Sequence, residues 1–259
     1  MSDARQKGFR EKIHDAFPPK VWRFAVAIYR LPWVVFRGRN LTVLADLFHS
    51  DKGTVHGYTP FYQRYFQRFR LRRIRLLEIG IGGYRDSNIG GGSLRMWRAY
   101  FRRGRISGLD INDKSNHRGW RISIYQGDQS DAETAQKIIR EQGPFDIIID
   151  DGSHRSEHVI ASFELYFPAL KRGGIYVIED TQTSYWKRYG GDATNLNRTD
   201  TTMGYFKSLV DGLNHAEILP SARPRSQWDK EIVSISFHHN LIFIEKGDNS
   251  LPSNIGPSE

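Results

Sequence analysis

From Arg75 to Glu179 the chain alternates short apolar runs with stretches long enough to be helices, a pattern that few architectures accept. Strands are expected near Arg75–Ile79, Ile106–Asp110, Ile122–Gln126, Phe145–Asp150 and Gly174–Glu179, with helices at Ser93–Phe101, Asp131–Glu141 and Glu157–Leu170. Strands separated by helices of this length build right-handed parallel βαβ units. Later, Ile232–Phe237 and Leu241–Glu245 flank His238, His239 and Asn240, a spacing that predicts a short-loop hairpin and hence an antiparallel late strand. The pattern implies an α/β chain with a Rossmann-like, mostly parallel seven-stranded sheet and a C-terminal antiparallel hairpin.

Upstream, Met1 to about Asn40 reads as a basic, amphipathic helical extension interrupted by Pro18, Pro19 and Pro32. Leu41–His49 follows as a short helix, then the polar loop Ser50–Tyr58. Phe61, Tyr62, Tyr65, Phe66 and Phe69 recur at helical spacing and are expected in the core. The divisions expected are a helical extension with its loop over 1–60, the main domain over 61–246 and a loose polar tail over 247–259. Val21–Phe36 carries Arg23, Arg30 and Pro32 and falls short of a membrane span, so stable membrane insertion is not expected. Its aromatic and basic mixture suits packing on its own domain or on a second copy, which points to a homo-oligomer. The amino terminus is charged throughout and does not resemble a signal peptide. The absence of cysteine excludes disulfides, thiolate metal sites and a cysteine nucleophile, and suits a cytoplasmic setting. The net charge of +9 lies largely in the Arg-rich stretches Arg64–Arg75 and Arg95–Arg105, read here as solvated faces.

The chemistry is concentrated at strand ends. Two apolar strands run into acids, Ile147–Asp150 into Asp151, Gly152, Ser153 and His154, and Ile175–Ile178 into Glu179 and Asp180. In open α/β sheets ligands bind outside the carboxyl ends of the strands, where these side chains converge. Asp151, Glu179 and Asp180 are hard oxygen donors suited to Mg²⁺, and His154 is a candidate general base beside them, with Asp151 sharing the catalytic role.

Three other strand ends carry an acid each. Glu78 leads a turn containing Gly80, Gly82 and Gly83, where glycines let backbone approach a ligand. Asp110 is placed to accept ribose hydroxyls, and Asp128 with Gln129 to meet an adenine edge; an Asx turn or helix cap is the bland alternative for each. Ser93 stands where a helix N-cap is expected. Neither a complete dinucleotide fingerprint nor a triphosphate loop is present. Acids at the mouth favour a cationic cofactor, and S-adenosylmethionine carries both a sulfonium and an ammonium. Glu78, Gly80, Ser93, Asp110, Asp128, Gln129, Asp150 and Tyr58, the last closing over the site, are the expected cofactor contacts.

Five parallel strands and a terminal hairpin also form the sheet of class I methyltransferases. The blocks Glu78–Tyr84, Gly90–Trp97, Asp150–His154 and Ile178–Trp186, with the loop Asp51–Tyr58, resemble the sugar O-methyltransferases of macrolide and polyketide biosynthesis, a group that includes mycinamicin, macrocin and rhamnosyl methyltransferases. The likeness runs from about Leu41 to Glu245. It implies transfer of methyl from S-adenosylmethionine to a sugar hydroxyl, with Asp151, Glu179 and Asp180 holding Mg²⁺ and His154 as base. The acceptor implied is a glycoside or oligosaccharide, either a macrolide or polyketide glycoside or a methylated mannoside, and not nucleic acid. Catechol-type small-molecule methylation stands as the alternative, with RNA methylation a more distant one because acids in the pocket repel phosphates. His56, His158, His238 and His239 are expected to be structural, with His56 also placed to close over the site beside Tyr58. Trp186, Tyr189, Tyr205 and Phe206 either stack on sugar rings or pack together.

Overall fold

The computed structural model describes residues 32, 34, 36–219 and 221–253. Most of the expected amino-terminal extension, the apolar 21–36 stretch included, and residues 254–259 lie outside the described residues.

The seven strands are β1 (Arg75–Ile79), β2 (Arg105–Asp110), β3 (Ile122–Gln126), β4 (Phe145–Asp150), β5 (Leu170–Glu179), β6 (Ile232–His238) and β7 (Leu241–Lys246), in the order β3-β2-β1-β4-β5-β7-β6. The first five are parallel, and β7 runs antiparallel to both β5 and β6. This is the class I methyltransferase sheet. The strand order reverses between β1 and β4, which places the crevice where such sheets bind ligands at the ends of these two strands.

Six α-helices flank the sheet among the described residues: α1 (Leu41–Phe48), α2 (Thr59–Phe66), α3 (Gly92–Tyr100), α4 (Ala132–Gln142), α5 (Ser156–Tyr166) and α6 (Thr202–Ser208). Strand parity sorts the core into two layers. Leu76, Ile147, Ile149, Ile175, Val177 and Phe243 face α1, α2 and α3, while Leu77, Ile79, Ile148, Tyr176, Ile178 and Ile242 face α4, α5 and α6. Central β4 is buried on both faces, which explains its unbroken apolar run.

β5 begins at Leu170, four residues before the expected start, because α5 ends at Tyr166 and a single 3₁₀ turn over Phe167–Ala169 delivers the chain to the sheet. The helix at α3 is capped by Gly91, not Ser93. Gly91 has a φ of 64°, and Ser93 lies inside the first turn with its hydroxyl free for another partner.

α1 forms because Leu41, Leu44, Ala45 and Phe48 align on one buried stripe. The Asn40 side chain accepts the Val43 amide at its start, and His49 ends it at a φ of 56°. α1 packs into the same core as α3, so the packed unit includes α1 and the loop after it. Exposed Arg72, Arg73, Arg103 and Arg105 cluster where β1 and β2 begin, at the opposite end of the sheet from the acids. Asn249 anchors part of the tail, its amide donating to the carbonyls of Leu213 and Asp229. No helix among the described residues is long and apolar enough to cross a membrane.

Candidate active and metal site

Register brings the acids together. Ile79 pairs with Asp150 and Asp150 with Ile178, so the residues just beyond, Asp151 and Glu179, emerge side by side next to Glu78. Parity then decides where each points. Glu78 and Glu179 face the α1–α3 layer, whereas Asp150 faces the α4–α5 layer.

Asp151, His154 and Asp180 converge, with one ligand atom from each lying within 4.8 Å of the others. His154 and Asp180 are non-glycine residues in the left-handed region, at φ of 58° and 52°. Such backbone costs about 1–2 kcal/mol per residue, and it turns both side chains back over the strand ends. His154 Nε2 lies 3.6 Å from Asp180 Oδ2. The Tyr58 hydroxyl donates to Asp180 Oδ1 at 2.6 Å, and the His56 ring stacks on Tyr58 with its Nδ1 3.7 Å from the same carboxylate. His56 therefore stands at the site, unlike His158, which contacts Ser153, and His238, which contacts Tyr65.

Glu179, the third expected metal ligand, has other company. Its Oε1 accepts from Lys52 Nζ at 2.6 Å and from the Tyr62 hydroxyl at 2.5 Å. Lys52 also donates to Asp151 Oδ2 at 2.5 Å and approaches Glu78 Oε1 to 3.4 Å, with only 1% of its side chain exposed. Sequence reasoning missed both Lys52 and Tyr62. A lysine in a polar loop is ordinarily solvated, and Tyr62 belongs to an aromatic stripe whose spacing signals only core. The one signal for Lys52 is its place in the Asp51–Tyr58 block.

One ammonium faces three carboxyl groups. Burial raises Glu179 well above its ordinary value, with the Asp151 charge adding to it and Lys52 and Tyr62 offsetting only part. Burial likewise pushes Glu78 up to about 7, against the pull of Lys52. Burial disfavours the Lys52 ammonium, but Asp151, Glu179 and Glu78 outweigh it and hold the lysine protonated. For Asp180 burial is overcome by the Tyr58 hydroxyl, His154 and Gln182, so its carboxylate stays ionised below the usual range. The carboxylates of Asp151 and Asp180 beside His154 form a donor set that fits a divalent cation such as Mg²⁺.

The cofactor candidates divide into two groups. Glu78 is wholly buried, and its Oε2 accepts from the Ser93 hydroxyl at 2.9 Å, the role Ser93 has in place of capping. Glu78 Oε1 has no hydrogen-bond partner, and the indole N–H of Trp97 nearby lowers the acid's pKa without closing a full hydrogen bond. Gly80 has a φ of 87°, and a Cβ there would strike the Asp151 carbonyl. Gly82, at 77°, faces open space, with Gly90 its nearest neighbour at 3.9 Å from a notional Cβ. A buried carboxyl group beside a glycine turn fits a cationic nucleoside cofactor. Asp110 braces the same turn, accepting the Ile81 amide at 3.0 Å and the Asn112 amide at 2.8 Å.

The remaining candidates have partners within the protein. Asp128 closes an Asx turn with the amide and hydroxyl of Ser130. Gln129 ties Asp150, Ser162 and the Ser153 amide together on the α4–α5 face. Tyr58 stands on the Asp180 side, away from the glycine turn. Of the aromatics considered for stacking, Phe206 is core and Tyr205 is bonded to Glu164 and Trp228, while Trp186 is 43% exposed beside Arg188. An open recess of about 960 Å³ on the β3–α4 edge is lined by none of the candidate residues.

Asp150 gives a stability prediction. Burial pushes its carboxyl up to about 7 from an ordinary 3.8, Gly152 and Gln129 offsetting only in part. Between these values the folded state holds a proton that the unfolded chain has lost, so stability falls as pH rises through this window, by up to about 1.4 kcal/mol per pH unit. Thermal unfolding from pH 4 to 8 is expected to show a shallower decline for Asp150→Asn than for the wild type. Parallel profiles would refute the assignment.

Comparison with known proteins bears on these features. A family model described as a methyltransferase domain matches residues 35–181. Mycinamicin VI 2''-O-methyltransferase of Micromonospora griseorubida is 48% identical over 82% of this chain and 54% of its own length. Demethylmacrocin O-methyltransferase of Streptomyces fradiae is 49% identical over 82% of this chain and 54% of its own. The solved structure of MycE methyltransferase from the mycinamycin biosynthetic pathway, in complex with Mg and SAH, superposes with a TM-score of 0.78 at 47% identity, covering 82% of this chain and 56% of that one. A second MycE complex also contains mycinamycin VI, with a TM-score of 0.75 at 45% identity over 82% of this chain and 55% of that one. The chain spans about half the length of the curated relatives it matches.

Proposed function

The chain belongs to the methyltransferase-domain family, and on that premise we propose that it transfers methyl from S-adenosylmethionine to a sugar hydroxyl of a glycoside with the help of Mg²⁺. The single observation that supports this best is the convergence of Asp151, His154 and Asp180 within 4.8 Å, next to a buried acid and a glycine turn. The relatives named for glycoside methylation and the Mg and SAH complexes of MycE support the same reading.

On this reading Asp151 and Asp180 would hold the ion, joined by Glu179, whose Oε1 is shared with Lys52 and Tyr62. Glu78, Ser93, the Gly80–Gly83 turn and Asp110 hold the cofactor. When bound, the ion supplies Lewis-acid polarisation of the acceptor hydroxyl and the cofactor supplies the methyl group. His154 takes the proton from that hydroxyl at Nδ1, while its Nε2 faces Asp180, which steadies the ring and the charge it gains. Tyr58 fixes Asp180 through its hydroxyl. Exposed Trp186 lies just beyond the metal ligands and offers an aromatic face to a sugar ring.

The acceptor is a small glycoside of macrolide or polyketide type, or an oligosaccharide such as a methylated mannoside. The enzyme acts in the cytoplasm as a homo-oligomer. Mass spectrometry of a panel of deoxysugar glycosides, mannosides, a catechol and RNA, incubated with cofactor and Mg²⁺, tests the assignment. Mass gain of one methyl on a glycoside, abolished by chelator, is expected. Gain on the catechol alone, or undiminished transfer in chelator, would overturn it.

A further inference from the structure

Lys52 is neither a ligand nor a base in the reaction just described, yet its ammonium lies at the centre of the cluster. It occupies Asp151 Oδ2 at 2.5 Å and Glu179 Oε1 at 2.6 Å, the oxygens of two of the three acids assigned to the ion. Its third neighbour, Glu78 Oε1, is 3.4 Å away and has no hydrogen bond. The Lys52 backbone also closes the loop, its carbonyl accepting the amides of Tyr58 at 2.9 Å and Thr59 at 3.1 Å. The loop 52–58 is thus pinned to the acids at both ends, by Lys52 to Asp151 and Glu179 and by Tyr58 to Asp180.

We propose that Lys52 is a positioning residue whose ammonium competes with the divalent cation for Asp151 and Glu179, so that ion binding releases the lysine toward Glu78 and loosens the loop 51–58. The inference rests on the metal-dependent reading above. An ammonium and a doubly charged ion sharing these oxygens repel strongly where the surroundings are poorly polarisable. The lysine stem is long and flexible with a compact terminal charge, so a short swing exchanges two hydrogen-bonded partners for Glu78 Oε1, already 3.4 Å away. Ion and loop then oppose each other through one side chain, and the loop opens as the metal arrives.

Mn²⁺ titration followed by electron paramagnetic resonance tests this on the full chain, in wild type and Lys52→Met, which keeps the side-chain length without the charge. Lys52→Met is expected to bind Mn²⁺ about tenfold more tightly or better, with less stability in chelator that Mn²⁺ restores. Equal or weaker binding would overturn the proposal, since a lysine serving only as structural counter-charge gives no gain in affinity. Should the variant not fold, hydrogen exchange on the wild type decides: amides of 53–58 are expected to exchange faster once Mn²⁺ is added, and unchanged or slower exchange overturns the idea. A wild type that binds no Mn²⁺ at all overturns the metal reading and this proposal together, whereas normal binding unaffected by Lys52→Met overturns this one alone.

Discussion

Replacing His154 by alanine is expected to lower the turnover of methyl transfer by about 10²–10⁴-fold, the usual contribution of a positioned base, while cofactor affinity stays within a factor of about two. The split follows from the geometry. His154 touches the acid cluster through Asp180 at 3.6 Å, whereas the cofactor contacts proposed lie at Glu78, Ser93, the Gly80–Gly83 turn and Asp110. A sugar alcohol is a weak nucleophile at neutral pH, so losing the proton acceptor falls on the chemical step and not on binding. Alanine at a φ of 58° is also strained, so His154→Asn, which tolerates that conformation, serves as the control for backbone effects. Single-turnover rates with cofactor affinity from calorimetry measure both halves, and free imidazole is expected to restore part of the rate to the alanine variant. Turnover within threefold of wild type in both variants would remove His154 from the reaction.

Trp97→Ala is expected to destabilise the protein by about 3–5 kcal/mol, the range for deleting a large buried aromatic. Trp97 is fully buried on α3, with ring centroids of Tyr62 at 5.1 Å, Phe66 at 5.7 Å and Phe101 at 6.2 Å. It joins the helix that carries Ser93 to the helix that carries Tyr62, and edge-to-face pairs of this kind add about 0.5–1.5 kcal/mol beyond the area they bury. Because Nε1 has no hydrogen-bond partner, Trp97→Phe keeps most of the packing and is expected to lose markedly less. Urea unfolding measures both. The damage should reach the site, since Tyr62 holds Glu179 through its hydroxyl, so weaker Mn²⁺ binding is expected in the alanine variant. A loss below about 1 kcal/mol would mean that α2 and α3 close over the gap.

Much of this architecture is legible in the chain because its strands are central and parallel. Strands buried on both faces must be apolar throughout, so β1 and β4 stand out, and the half-buried edge strand β3 is marked by Ile122 and Ile124 on its buried face; all three end at the expected residues. The acids after β4 and β5 are legible for the same reason, since a carboxylate next to Ile147–Ile149 or Ile175–Ile178 has no packing role. What spacing does not convey is which face each acid takes or who meets it. Parity within β4 sends Asp150 away from Glu78, and only the register between strands reveals that. Gln129 and Asp128 follow a strand as a nucleoside contact would, yet their bonds go to Ser162, Asp150 and Ser130. Lys52 is illegible because the loop that carries it has no periodicity, and its burial depends on three acids up to 127 positions away. The ends of helices are blurred where a glycine cap and a serine in the first turn compete, as at Gly91 and Ser93.

The antiparallel hairpin that completes the sheet reaches this chemistry through its backbone, because β7 pairs with β5 as far as Leu241 opposite Glu179. Asn240, at its tip with a φ of 60°, offers its carbonyl to the Thr181 amide at 3.3 Å, directly after Asp180. The stretch matched by the family model stops at residue 181, more than fifty positions before that tip. Anyone building a chimera or a shortened enzyme from this chain should therefore treat residues 232–246 as part of the minimum transplantable module, because a graft cut at the family boundary would carry the acids without the strand pair that props them up.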